Sequence, residues 1–230
     1  SGVDIQGCDF ENNSTANIDD RGIGILSTLT EFNLHGRCLD PICSSYDRNN
    51  FDDLFYGIKA SDASIINIDR TNFTDNLRGA WIINSDALQF TRNDLKLYDS
   101  YYPGTLMNET FGLYLESSTG YQVEENYFHD GRYGLTVYNS GEYNNEIYYN
   151  DFENNTSNSF STINMGVNAD TDKTIGLRYI CNDFKDAYAF ISVLGGDIIT
   201  ANGNITELDS YMRQLQSKST DSPADNTFSN

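Results

Sequence analysis

A short phrase of asparagine, any residue and phenylalanine recurs along the whole chain, and this repeat constrains the fold more than any other feature. Asparagine stands two positions before the final residue in five of the seven copies. Residues five and seven positions before it, which are Tyr46 and Ser44 in the second copy, are mostly apolar, and this is the alternation of a β-strand with one buried face. The final residues of the copies are Phe10, Phe51, Phe73, Leu95, Phe128, Phe152 and Phe184.

A glycine follows the phenylalanine in most units, and apolar residues alternate behind it. The glycine comes six residues later at Gly57, Gly79 and Gly134, and after insertions at Gly112 and Gly166. The apolar alternation behind it again has the period of a strand. Each unit is therefore predicted to contain a strand, a turn, a short strand, a turn and a strand.

The spacing of the units is typical of a solenoid. Phe51, Phe73 and Leu95 follow one another at a fixed interval of 22 residues, and a fixed period of this length indicates stacked repeats. We predict an all-β, right-handed parallel β-helix with coils of about 22 residues. Residues 1–204 are expected to form seven to eight coils, and residues 205–230 an irregular or short helical segment that leads into a further, incomplete repeat.

The stacking of coils explains the residue types. One coil of roughly 20 residues cannot bury its own apolar face, but coils stacked about 4.8 Å apart align phenylalanine on phenylalanine in a continuous core. Stacked asparagine amides can hydrogen-bond from coil to coil. Because asparagine also tolerates left-handed backbone, we expect these asparagines to form the tight corners.

The chain is strongly acidic, with 14 basic and 34 acidic residues, a net charge of −20 and a pI near 4.1. This balance argues against nucleic acid and anionic membrane surfaces as partners. The sequence has no apolar run of about 18 residues, so we expect no direct membrane insertion. Val3 and Ile5 already fill strand positions of the repeat, so we also expect the chain to be a piece of a longer protein.

Two of the four cysteines lie close together in one loop. We predict a disulfide between Cys38 and Cys43, which would hold an otherwise loose segment containing Pro41. Cys8 and Cys181 stand in units several coils apart, so both are expected to be unpaired and buried.

Familiar catalytic patterns are missing from the sequence, which has two histidines and no nucleophile elbow. Arg48, Arg70 and Arg92 recur three residues before the phenylalanine and could form a basic stripe like that of a polysaccharide lyase. Their neighbours Asp47 and Asp69 are expected to neutralise two of the three, leaving surface ion pairs as the alternative.

A carboxylate column follows the phenylalanines by two residues. Asp53 and Asp75 would lie on neighbouring coils, where they could hold Ca²⁺, the one cofactor that the sequence suggests. The alternative is that each of these residues bonds the backbone of its own turn.

Two insertions at the same corner of the coil, at residues 98–111 and 155–165, predict a concave binding site between them. Its walls and floor would offer flat rings and hydrogen-bonding groups suited to a sugar. Ordinary loops folded against the flank are the alternative. The predicted ligand residues are Tyr101, Tyr102, His129, Asp130, Arg132 and Tyr133.

The later repeats carry a family resemblance. The segment from Gly176 to Phe184, which reads GLRYICNDF, and the segment from Ser222 to Phe228, which reads SPADNTF, resemble the repeats of large surface-exposed proteins of Bacteroidota. That resemblance implies export by the type 9 secretion machinery and display on, or release from, the cell surface.

Two functions are compatible with these features. In the first, the chain is a non-enzymatic secreted or cell-surface module, such as a stalk or adhesin, which contacts glycans or other surfaces and is linked to gliding. In the second, it is a polysaccharide lyase or related enzyme with a groove along the coils. The absence of a compact cluster of basic and acidic side chains favours the first.

Overall fold

The strands of this chain stack in parallel sheets. The structure, a computed structural model, describes residues 2–13, 17, 20–97, 110–130, 133–138, 140, 144–153, 163–164, 176–185, 193–194, 197–199, 205–207 and 227–229. Across these residues the structure is all-β and has no α-helix. Parallel strands stacked in sheets of five to eight strands are consistent with a β-helix or another solenoid.

The strands are short, as expected for coils that turn often. In chain order they are β1 (Val3–Gln6), β2 (Asp9–Glu11), β3 (Ile23–Thr28), β4 (Phe32–His35), β5 (Arg37–Cys38), β6 (Tyr46–Asp47), β7 (Asn49–Asp52), β8 (Tyr56–Ser61), β9 (Ile66–Asp69), β10 (Thr71–Asn76), β11 (Arg78–Ile83), β12 (Leu88–Thr91), β13 (Asp94–Leu97), β14 (Phe111–Glu116), β15 (Gln122–Glu124), β16 (Tyr127–His129), β17 (Tyr133–Tyr138), β18 (Asn144–Tyr148), β19 (Asp151–Glu153), β20 (Ile163–Asn164), β21 (Gly176–Ile180), β22 (Asp183–Lys185), β23 (Val193–Leu194), β24 (Asp197–Ile199), β25 (Ile205–Glu207) and β26 (Thr227–Ser229).

The chain visits three parallel sheets in turn. The first sheet has the order β1-β4-β9-β12-β15-β18-β21, the second β2-β7-β10-β13-β16-β19-β22-β26, and the third β17-β14-β11-β8-β3. The strands β5 and β6 form an antiparallel hairpin inserted between β4 and β7. Two smaller pairs, parallel β20-β23 and antiparallel β24-β25, involve later residues.

The predicted alignment of the phenylalanines is confirmed by the register of the second sheet. Phe10 pairs with Phe51, Phe51 with Phe73, and Phe73 with Leu95. The rings of Phe128 and Phe152 stack with centroids 4.8 Å apart and planes 4° from parallel. The same column continues through Phe184 to Phe228. Like side chains therefore line one wall of a continuous core.

One predicted strand pair is wrong. The sequence suggested Ser44 and Tyr46 as the apolar pair of the second unit, but the first sheet uses Phe32 and Leu34, which pair with Ile66 and Ile68. Both residues are buried, at 3% and 0% exposure. The cysteine hairpin lies between this strand and Phe51, so the residues five and seven positions before Phe51 belong to the hairpin.

The glycines of the third sheet are required by a close approach between coils. A Cβ on Gly57 would lie 2.6 Å from the carbonyl oxygen of Gly79 and 2.8 Å from Cδ1 of Phe73. A Cβ on Gly24 would meet the carbonyl oxygen of Gly57 at 2.7 Å. Each glycine thus makes room for its neighbour's backbone and for the phenylalanine stack.

The asparagines form the predicted ladder. Asn93 and Asn126 are each 2% exposed, and the Nδ2 of Asn93 donates to the Oδ1 of Asn126 at 3.0 Å. That oxygen also accepts the backbone N–H of Asn93 at 2.9 Å, while Asn126 Nδ2 donates to the carbonyl of Phe90 at 2.8 Å. Each carboxamide therefore satisfies the backbone of the preceding coil at the bend between the first and second sheets.

The expectation that these asparagines adopt left-handed backbone is wrong. The positive φ angles at this corner belong to the residue before the ladder position in five of the repeats: Arg70, Arg92, Glu125, Tyr149 and Cys181. The ladder asparagine must keep its N–H and side chain aligned with the neighbouring coil, so the preceding residue makes the turn. Other corners use a different column, which includes Asp53, Asp75 and Asp130.

The last segment is described in two short stretches. Ile205–Glu207 forms a strand antiparallel to Asp197–Ile199. Thr227–Ser229 joins the second sheet, with Phe228 opposite Phe184. The rest of the segment predicted to be irregular or helical, 208–226, lies outside the described residues.

Candidate functional site

The predicted concave site lies partly outside the described residues. The residues not described include most of both insertions and Tyr101, Tyr102 and Arg132. The concave site therefore stays a prediction. His129, Asp130 and Tyr133 are described. His129 ends β16 in the second sheet, whereas Tyr133 begins β17 in the third, so these two side chains belong to different sheets.

His129 is held in a polar network on the outer side of the second sheet. Its Nε2 lies 2.8 Å from Asp94 Oδ1, and its Nδ1 lies 3.5 Å from Asp130 Oδ2. The ring of Tyr127 stacks on it at 4.4 Å, and the Tyr127 hydroxyl donates to Glu153 Oε2 at 2.7 Å. Burial and the bond to Glu153 raise the pKa of the Tyr127 hydroxyl, which keeps it protonated at neutral pH.

Asp130 is the second aspartate that lies close to His129. Its side chain is 12% exposed. The Oδ1 atom is buried and has no hydrogen-bond partner within the described part of the chain. The residue also has φ of 59°, in the left-handed region, so it makes the corner between the second and third sheets.

Tyr133 belongs to a different group of side chains, which the sequence reasoning largely missed. It packs against a buried cluster of Tyr56, Trp81 and Phe111 on the third sheet. Around Trp81, which belongs to this cluster and is 8% exposed, lies a surface that we call the aromatic face. Its members are Lys59, Trp81, Tyr114, Glu116 and Tyr138.

The aromatic face follows from strand alternation. Ala80, Ile82, Leu113 and Leu115 are completely buried and face the core. Trp81 and Tyr114 alternate with them and so point to the other side of the sheet. The register places Lys59 beside Trp81, Trp81 beside Tyr114, and Glu116 beside Tyr138 on successive strands.

Side-chain contacts order this face. The rings of Trp81 and Tyr114 meet edge to face, with centroids 5.9 Å apart and planes at 66°. The indole Nε1 of Trp81 donates to Glu116 Oε2 at 3.0 Å. Lys59 Nζ lies 4.6 Å from the Trp81 ring centroid, within the range of a cation–π interaction. Burial, and then the charge of Glu116, raises the pKa of Tyr114 to about 12, so its phenol is neutral and can donate.

A buried arginine supports the face from the side. Arg78 is 2% exposed, and its guanidinium donates to the Tyr56 hydroxyl at 2.6 Å. The same group lies 4.5 Å from the ring centroid of Phe55 and 4.7 Å from that of Tyr56. These contacts fix Tyr56 next to Trp81, whose ring centroid is 5.9 Å away.

The signal for this face was present in the sequence. The apolar pairs behind each glycine are predicted to face the core, so the residues between them are predicted to point to the outer side of the strand. Trp81 stands between Ala80 and Ile82, and Tyr114 between Leu113 and Leu115. A large aromatic residue at an outward position of a strand is informative because the main core requires apolar residues only at the alternate positions.

The arginine column is engaged by neighbouring side chains. Asp69 Oδ2 accepts from Arg70 Nη1 at 2.5 Å, and Asp69 Oδ1 accepts from Arg92 Nε at 2.7 Å. One carboxylate therefore pairs with two arginines. Arg48 donates to Asn72 Oδ1 at 2.8 Å. The predicted pairing of Asp47 with Arg48 is wrong, because Asp47 pairs with Arg37 at 2.5 Å in the hairpin.

The predicted calcium ligands have protein partners. Asp53 is paired with Arg21, and Asp75 lies 3.7 Å from Lys96 Nζ. Both residues have left-handed φ, of 58° and 50°. Within the described ranges no group of three or more metal-ligating side chains comes together. Calcium binding by Asp53 and Asp75 stays a prediction.

A disulfide joins Cys38 and Cys43 across the turn of the hairpin. Asp40 organises the same tip by accepting bonds from the backbone N–H and hydroxyl groups of Ser44 and Ser45. Cys8 and Cys181 are free, as predicted, but both are half-buried rather than buried. Each lies at the corner between the first and second sheets and is partly exposed to solvent.

The described residues contain no helix that could cross a membrane. Comparison with protein-family models, with curated proteins and with solved structures finds no match for this chain. The geometry of the chain's own residues therefore carries the functional argument.

Proposed function

We propose that this chain is a non-enzymatic secreted or cell-surface module that contacts glycans through its aromatic face. The observation that carries the proposal is the pair Tyr114 and Tyr138 on the outer side of the third sheet, on neighbouring strands and beside Trp81, which is 8% exposed. In this proposal the fold is a right-handed parallel β-helix with coils of about 22 residues, because crossover connections between parallel strands are almost always right-handed.

The chemistry of the face suits a sugar. Flat rings stack on the apolar faces of pyranoses, and polar groups at their edges fix the hydroxyls. Lys59 Nζ can donate to sugar oxygens, and Glu116 can accept from sugar hydroxyls while Trp81 holds its other side. Tyr138, which is 41% exposed, provides the most open ring.

Secretion is the second part of the proposal. A disulfide at Cys38–Cys43 supports an oxidising compartment, since cytosolic thiols are normally kept reduced. The net charge of −20 suits a soluble module displayed outside the cell. The resemblance of the repeats to Bacteroidota surface proteins leads us to propose the type 9 secretion machinery as the partner during export.

A polysaccharide lyase is the weaker candidate. Such an enzyme needs an arginine or lysine free to take a proton beside its substrate. Asp69 occupies Arg70 and Arg92, so neither guanidinium is poised as a base. Unsaturated products absorbing near 235 nm with an acidic polysaccharide, lost in Arg70→Ala, would favour this candidate instead.

A glycan array tests the proposed module. Wild type, Tyr114→Ala and Tyr138→Ala are compared with Tyr149→Ala, which removes a tyrosine that is 52% exposed at the corner between the first and second sheets. We expect the first two variants to lose most of the signal and the third to retain it. Equal signals from all four proteins, or no signal from wild type, would contradict the proposal.

A further inference from the structure

We infer that the sugar unit held at the aromatic face is a non-acetylated amino sugar, whose protonated amine binds the carboxylate of Glu116 between the rings of Tyr114 and Tyr138. The inference rests on the proposed function, since a protein that binds no glycan binds no amino sugar. It adds the chemical class of the bound unit and the group that recognises it.

Glu116 presents one carboxylate oxygen that the protein itself does not use. Its Oε2 accepts from the indole Nε1 of Trp81 at 3.0 Å, which holds the carboxylate in one orientation. Across the part of the chain that the structure describes, its Oε1 makes no hydrogen bond or ion pair. The side chain alternates with the buried Leu115 on β14, so it points outward, and it is partly exposed. A carboxylate that is already oriented loses little freedom when a ligand binds it.

Two tyrosine rings flank this carboxylate. The register places Tyr138 of β17 directly beside Glu116, on strands about 4.8 Å apart. Tyr114 stands two residues before Glu116 on β14, so both side chains point to the same side of the sheet. Burial, followed by the charges of Glu116 and Tyr138, raises the pKa of Tyr114 to about 12, so this phenol is neutral at physiological pH. Tyr138 is 41% exposed and gives a ligand access to the carboxylate.

A protonated amine suits this arrangement better than a hydroxyl or an acetamide group. Its charge-assisted hydrogen bond to a carboxylate is about twice as strong as that of a neutral donor. The faces of tyrosine rings also attract a cation that lies within about 6 Å. Lys59 leaves the free oxygen open, because it lies two strands away on β8, where its Nζ faces the ring of Trp81 at 4.6 Å.

The charge of the whole chain acts in the same direction. A net charge of −20 attracts cationic glycans and repels polyanions such as polyuronates. A neutral glycan would offer Glu116 only hydroxyl or amide donors. An amino sugar combines the charge that the carboxylate lacks with an apolar ring face that can pack on Tyr138.

Three β-1,4-linked tetrasaccharides test the group at position 2 of the sugar. They are the tetramer of glucosamine, with a free amine, the tetramer of N-acetylglucosamine, and the tetramer of glucose, with a hydroxyl. Calorimetric titration is carried out at about pH 6, where the amine is protonated. The emission of Trp81, the single tryptophan, reports binding beside its bond to Glu116. We expect the amine form to bind at least about tenfold more tightly than either of the other two.

Charge and ring variants locate the binding. Glu116→Gln should remove most of the preference for the amine, because the amide keeps an acceptor for Trp81 but loses the charge. Its matched control, Glu11→Gln, removes the same charge from an exposed residue of β2, at the edge of the second sheet, and should keep the preference. Tyr138→Ala should weaken binding of the amine form about fivefold, whereas Tyr149→Ala should not. Thermal unfolding checks that each variant is folded.

Equal affinities for the three tetramers would overturn the inference. Equal losses in Glu116→Gln and Glu11→Gln would also overturn it, because they would show a general attraction of cations to an acidic protein. Spermidine carries amines without a sugar, and binding as tight as that of the amine tetramer would have the same meaning. If the array shows glycan binding but the amine gives no advantage, the proposed function stands and the inference alone fails. If no glycan binds in either assay, both fail.

Discussion

The Oδ1 atom of Asn150 accepts both the side-chain Nδ2 of Asn126, at 2.9 Å, and the backbone N–H of Asn126, at 3.0 Å. One carboxamide oxygen therefore accepts two hydrogen bonds from the corner of the neighbouring coil. Asn126 in turn satisfies Asn93 and the carbonyl of Phe90 in the same way. We therefore expect the stability of the corner between the first and second sheets to depend on the ladder.

Replacing Asn126 with alanine should destabilise the fold on the order of 3 kcal/mol, because it leaves the Phe90 carbonyl and the Asn93 N–H buried without partners. Urea unfolding measures the loss. The control is Asn72→Ala, which removes an amide from the half-buried outer ladder between Asn50 and Arg48. We expect that variant to lose less than about 1 kcal/mol, and similar losses from both would contradict a special role for the buried ladder.

Gly57→Ala should also destabilise the protein, by roughly 1–3 kcal/mol, since the new methyl group would overlap the Gly79 carbonyl and the Phe73 ring. Gly22→Ala is the matched control, because a Cβ there has nothing within 4 Å. Thermal unfolding of the two variants gives the comparison. An equally small effect at both positions would show that the coils can separate without cost.

Asp69→Asn should reduce stability at pH 7 by roughly 1–2 kcal/mol. Burial alone would raise the pKa of Asp69, but bonds from Arg92 and Thr91 and the charges of both arginines outweigh it and lower the pKa. The carboxylate therefore contributes stability above the unfolded pKa of about 3.9, and this is lost as pH falls through the lower folded value. Urea midpoints at pH 7 and pH 3 should show the gap between wild type and variant closing in acid.

The opposite sign is expected for Asp52→Asn. Burial, followed by the charges of Asp75, Asp53 and Glu11, raises the pKa of Asp52. The favourable protonated form is present below about pH 3.9 and is lost as pH rises through the folded value, so ionisation at pH 7 destabilises the fold. The variant should be more stable than wild type by roughly a few tenths of a kcal/mol in low salt, and added salt should reduce its advantage. A loss of stability would contradict this account.

The hairpin disulfide gives a prediction that mass spectrometry can check. Alkylation of the unfolded, unreduced protein should label Cys8 and Cys181, and alkylation after reduction should label all four cysteines. A Cys38→Ser variant should leave one additional thiol, Cys43, open to labelling without reductant. Four labelled thiols in the unreduced wild-type protein would contradict the Cys38–Cys43 bond.

The repeat was readable from the sequence because stacked coils place like residues on like residues. Phe51, Phe73 and Leu95 recur at one interval since each must fill the same position of the core, and Gly57 and Gly79 recur since each must clear the same backbone. A single insertion breaks this interval. The hairpin before β7 shifted the predicted strand from Phe32 and Leu34 to Ser44 and Tyr46.

The outward side chains followed no such interval. Lys59, Trp81 and Tyr114 share one column, yet they are three different residue types, since the core does not constrain what faces away from it. Their grouping into a face appears once the third sheet sets their register. The residues predicted for the concave site also could not be grouped from the sequence. His129 and Tyr133 are four positions apart in the sequence but belong to different sheets.

The sequence by itself determined the all-β class, the alignment of the phenylalanines, and the asparagine ladder, because each of these repeats with the coil and is selected by packing against an identical neighbour. The tertiary structure alone decided which residues turn the corners, that Asp69 rather than Asp47 neutralises the arginine column, and that Trp81, Tyr114 and Tyr138 share a surface. Those features depend on contacts between different residue types in different coils, and the periodicity of one chain does not encode such pairings.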